Sequence, residues 1–171
     1  MAARRALTGA VLGAAMMLLP AAARAAGPVF AKQPTTAQID AAITRYGAHD
    51  TVNALFDQNR WDYVADEIGK GGAAWVALAV RLAPGADAGT AEELPISLAF
   101  ALPINPAAVL MAVKSGAFDV ADVCGAPFID GTVPSVPAYL RKATAAVKKV
   151  TDPALAATKT SCLATLAKAN S

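Results

Sequence analysis

His49 is the only histidine in the 171-residue chain, and Cys124 and Cys162 are its only cysteines. The single histidine and the two cysteines limit the histidine- and thiolate-based chemistry the chain can build. A zinc site would have to combine His49 with carboxylates once the cysteines are paired. A Ser-His-Asp arrangement would need His49 to meet Ser97, Ser115, Ser135 or Ser161, and no Gly-x-Ser-x-Gly elbow presents any of them. Carboxylate catalysis needs only two acids flanking a bond. Glu92-Glu93, Asp66-Glu67 and Asp119-x-x-Asp122 are the pairs to consider. Adjacent acids on a helix point about 100° apart, so the first two pairs are poorly placed to share a substrate. The chain carries no Gly-rich phosphate loop after a strand, no calcium loop and no Cys-x-x-Cys-His. No cofactor is expected.

The cysteines read as a disulfide. Met1–Ala25 has the form of a secretory signal peptide: Arg4 and Arg5, an uncharged run Ala6–Leu19, then Pro20 and Ala23-Arg24-Ala25 as the cleavage site. Cleavage after Ala25 would place the mature protein in the periplasm or the medium of a bacterium, where thiols are oxidised. Arg4-Arg5 leaves general and twin-arginine export both open. A Cys124–Cys162 bridge would tie the basic end of the chain to the rest, within one chain or between two.

Removing Met1–Ala25 takes away three arginines, so 15 cations become 12 against 13 anions and the formal charge falls from +2 to −1. That removes the support for nucleic acid as a partner. The remaining charge is split. Residues 26–130 carry six cations and twelve anions; residues 131–171 carry six cations and one anion, Asp152. The C-terminal cations include Arg141, Lys142, Lys148 and Lys149, which form the candidate interaction face. No aromatic residues interleave them for base stacking. The two ends could attract each other within the fold, or steer a charged partner.

The elements that position these residues are helices. Thr36 is expected to cap a helix stopped by Gly47, and Asp50 to cap the next. Trp61, Val64, Ala65 and Ile68 form one apolar stripe; Trp75, Leu78, Ala79 and Leu82 form another. Thr90 and Glu93 fit a capping box. Leu94–Val113 has twenty uncharged residues, but its prolines predict two short buried helices near 95–102 and 106–113, the second capped by Asn105-Pro106. No membrane span is expected after signal cleavage. Ala138–Val150 is amphipathic, and a last helix begins at Pro153. No β alternation runs beyond a few residues.

The expected organisation is a signal peptide (1–25), an N-terminal tether (26–35) and one all-α domain (36–171). That domain is a compact bundle of about seven to nine short helices packed as antiparallel pairs, with one disulfide. The expected function is a non-enzymatic binding module, of which inhibitor and immunity proteins are one form, with a protein partner in the cell envelope. The alternatives are a carrier of a small apolar ligand, suggested by Leu94–Val113 and the tryptophan stripes, and a carboxylate hydrolase of cell-wall polymer.

Overall fold

The computed structural model describes residues 27–128 and 132–169. The expected signal peptide lies outside them. Among the described residues there are nine α-helices, two short 3₁₀ turns and no strand. The helices are α1 (Thr36–Tyr46), α2 (Ala48–Asp57), α3 (Trp61–Gly69), α4 (Ala73–Leu82), α5 (Ala88–Ala101), α6 (Pro106–Lys114), α7 (Val120–Cys124), α8 (Val136–Lys148) and α9 (Ala156–Ala169). No helix among the described residues is long and apolar enough to cross a membrane.

One core runs through all of them, with Ile39, Leu55, Ile68, Leu82, Leu98 and Leu110 fully enclosed. Consecutive helices pack as pairs at α1–α2 and α8–α9, but the most extensive contact joins α3 to α5 across the intervening α4. The N-terminal stretch is docked rather than loose. The Gln58 side chain accepts from the Phe30 N–H (2.9 Å) and donates to the Pro28 carbonyl (2.9 Å), and Phe30 is buried.

Four local details differ from expectation. Thr35, not Thr36, caps α1, and Gln38 closes its capping box. Gly47 separates α1 from α2 by itself at φ +87°, a conformation that favours glycine. Asp50 therefore falls inside the first turn of α2, and the buried Thr51 hydroxyl donates to the Gly47 carbonyl (2.7 Å). The capping pair of α5 is Asp87 and Thr90, one turn earlier than expected, with the Thr90 Oγ1 accepting from the Asp87 N–H (2.9 Å). This frees Glu93 for another role. Finally, Pro95 sits inside a continuous α5. A helix-interior proline costs about 3 kcal/mol. Leu94 and Leu98 on either side are fully buried, and each such side chain returns about 1.5–3 kcal/mol, so packing keeps the helix whole.

Pro103 creates a second deficit, because it has no N–H to offer the Ala99 carbonyl one turn back. The Tyr139 hydroxyl of α8 donates to that carbonyl instead, at 2.8 Å. The Tyr139 ring packs edge-on against Phe128, which in turn packs on Phe100. Burial pushes the Tyr139 phenol well above its ordinary pKa, so the donor proton is secure. Tyr139→Phe is expected to lose about 1 kcal/mol in urea unfolding, because the Ala99 carbonyl then keeps only the longer bond from the Leu102 N–H (3.2 Å), which Leu102 shares with the Leu98 carbonyl. A loss below about 0.5 kcal/mol would show that Leu102 N–H satisfies Ala99 alone.

The disulfide closes within one chain. Cys124 ends α7, Cys162 lies on the buried side of α9, and their Cα atoms are 5.4 Å apart.

Candidate functional sites

The four cations of the expected interaction face are all exposed; Arg141, Lys142 and Lys148 lie on the outer side of α8 and Lys149 is its C-cap. Helical geometry divides them into two rows, Arg141 with Lys148 and Lys142 with Lys149, each spaced seven residues or about 10 Å. Exposed Ala145 lies between the rows. Leu140, Ala143 and Val147 hold the opposite side of the helix in the core. Arg141 and Lys148 border an open groove of about 400 Å³ between α8 and α9, floored by Leu140, Leu163 and Leu166. Lys149 borders a second groove of about 350 Å³ with Ile104, Pro106 and Val150. Lys159 is committed elsewhere: its ammonium donates to the Lys148 and Val150 carbonyls (2.8 and 2.6 Å) and caps the end of α8.

Among the described residues no ion pair joins Arg141, Lys142, Lys148 or Lys149 to the acidic part of the chain. The ion pairs among the described residues are Lys70–Glu67, Arg81–Asp40 and His49–Asp50, all within 27–128. Arg141, Lys142, Lys148 and Lys149 make no ion pair or hydrogen bond with any described residue through their side chains.

The candidate chemistry of the sequence is scattered. His49 is exposed in the first turn of α2, and its ring neighbours are Asp50 and Asn53. Ser115 donates to the Ala112 carbonyl and Ser135 caps α8; no serine hydroxyl bonds to His49 among the described residues. Asp119 precedes α7 and Asp122 lies in its first turn. Glu92 is exposed, and Glu67 is paired with Lys70 at 2.6 Å.

The fold instead joins two acids that the sequence kept apart. Glu93 of α5 and Asp66 of α3 line one open groove of about 460 Å³, with Lys70, Ile96, Ser97 and Phe100. The Glu93 Oε2 accepts from the Trp61 Nε1–H at 2.5 Å. Partial burial raises the Glu93 pKa; the Trp61 bond opposes this, and the Asp62 and Asp66 charges add to it. Glu93, Ser97 and Phe100 recur at i, i+4 and i+7, and Asp62 and Asp66 at i and i+4. That spacing was the available signal, and nothing in it fixed which helix faces which.

A carboxyl whose folded pKa is raised favours the fold when protonated. Its contribution is complete below the unfolded value, about 4.3, and is lost as pH rises through the higher folded value. Glu93→Gln is therefore expected to stabilise the fold near neutral pH, by less than about 1 kcal/mol because the site is screened by solvent. The difference should vanish near pH ~4. Thermal melts at both pH values check this; a variant less stable near neutrality would show that the charged Trp61 bond outweighs desolvation.

No protein-family model matches this chain, and comparison with curated proteins and with solved structures gives no match.

Proposed function

We propose that this protein is a binding module without chemistry of its own, which holds an acidic protein surface on the outer face of α8. The carrying observation is the set of four exposed cations on α8 and its C-cap with no ion pair among the described residues. Exposed charges of one sign at regular spacing steer an oppositely charged partner and fix its register more than they add raw affinity. The apolar floor beside Arg141 and Lys148 supplies area that charge alone does not. An exported, disulfide-linked inhibitor or immunity-type protein fits this description. The apolar-carrier alternative has less surface to draw on, since Leu94, Leu98, Leu102, Val109 and Leu110 are spent on the core.

Labelled poly-L-glutamate is the defined probe. The native protein is expected to bind it with a steep salt dependence. The Arg141→Gln, Lys142→Gln, Lys148→Gln, Lys149→Gln variant should lose at least about tenfold in affinity while its stability stays within about 0.5 kcal/mol. Equal binding by both proteins at low salt would end the proposal. One observation favours the hydrolytic alternative, the shared groove of Asp66 and Glu93. Peptidoglycan clearing by the native protein that is lost in Asp66→Asn would move the assignment there.

A further inference from the structure

The α3–α5 groove is a second, chemically different site. Its walls come from α3 (Ala65, Asp66, Gly69, Lys70) and α5 (Glu93, Ile96, Ser97, Phe100). Asp62 stands one turn before Asp66 on α3 and acts on Glu93 through space. Lys70 is the one cation among these walls, and its ammonium is held by Glu67 at 2.6 Å. The groove therefore holds two acids, Asp66 and Glu93, and one cation that Glu67 already pairs.

Ser97 supplies an independent observation. It is 4% exposed, yet its hydroxyl makes no hydrogen bond to another described residue and opens onto the groove. A helical serine commonly turns its hydroxyl back to the carbonyl four residues earlier. Here that bond is not made, and the Ser97 oxygen keeps a small opening to the groove, through which it can accept from a ligand.

We propose that this groove binds a small aliphatic ammonium compound. Asp66 and Glu93 provide carboxylate acceptors, and the Ser97 oxygen provides a neutral acceptor between helix turns. Ile96 and Phe100 offer an apolar wall for a methylene stem. A bare metal ion is a poorer fit, because no three His, Cys, Asp or Glu side chains among the described residues stand close enough to hold one. An alkyl ammonium needs no such cluster, since its N–H donors reach acceptors set apart along a groove. The site is distinct from α8, and its occupant carries the opposite charge.

Titration calorimetry with 1,5-diaminopentane at constant ionic strength tests this on the full mature chain. Saturable binding with Kd of about 1 mM or tighter is expected, with no heat from 1-pentanol. Asp66→Asn should weaken it about tenfold, the worth of one charged hydrogen bond. Asp66 is exposed and its side chain makes no hydrogen bond to a described residue, so this variant keeps the fold. Ser97→Ala should weaken it roughly threefold, as expected for one neutral bond. The quadruple α8 variant should bind diamine unchanged. Absence of saturation at tenfold higher concentration, or an unchanged Kd in Asp66→Asn, overturns the proposal without bearing on the α8 face.

Discussion

Reducing the Cys124–Cys162 disulfide is expected to destabilise the protein by about 2–4 kcal/mol, among the largest effects available from a single bond in this chain. The bond spans 38 residues of sequence. In the chain-entropy account, a loop of that size restricts the unfolded chain by about 4 kcal/mol, and strain or residual structure lowers the figure. The loss should be local first. α7 has only five residues, far below the length at which a helix holds itself together in water. It is retained by α5 on one side and by α9, through the disulfide, on the other. Urea unfolding with and without reductant should show the lower midpoint, together with a steeper slope as the unfolded chain expands. Hydrogen exchange should report α7 opening before α3 or α5. A reduced protein within about 0.5 kcal/mol of the oxidised one would show that packing alone anchors α7. The protein should run as a monomer on a non-reducing gel, because both sulfurs belong to one fold.

Gly85→Ala is expected to cost about 3 kcal/mol or more. Gly85 ends the 3₁₀ turn Ala83–Gly85, which packs on the start of α2. A methyl group there would overlap the backbone of Ala48 and His49. The obstruction is a peptide group, not the tip of a mobile side chain, so the turn and α2 would have to separate. Gly89→Ala is the matched control. It lies in the first turn of α5 with open space where its Cβ would go. Alanine there should stabilise by about 0.5–1 kcal/mol, as it does in a helix generally. Opposite signs for the two changes in thermal or urea unfolding support the close approach of the turn to α2. Equal, small effects would contradict it.

Much of the fold was legible because helical periodicity is local. Trp61, Val64, Ala65 and Ile68 are buried together as their spacing required. The Asn105-Pro106 start of α6 follows from one cap and one proline. Trp75 shows the limit: its stripe is helical as expected, but the ring is only partly buried and packs edge-on against Tyr63. The stripe points inward as a set, while the depth of each member depends on which neighbour arrives. Pro95 shows the limit from the other side. Local rules predicted a break, and buried leucines supplied by other helices kept α5 continuous.

The sequence by itself determined an all-α chain, the Cys124–Cys162 pairing and a basic outer face on α8. Each of these rests on residue type and spacing along one element, or on a pair with no competitor. Only the tertiary structure decided that the disulfide closes within one chain, that Glu93 leaves its expected capping role for Trp61, and that Asp66 and Glu93 share a groove with Ser97. Those facts depend on α3 meeting α5 across α4. Which helix meets which is settled by the joint burial of all the apolar stripes, and no single stripe records its partner.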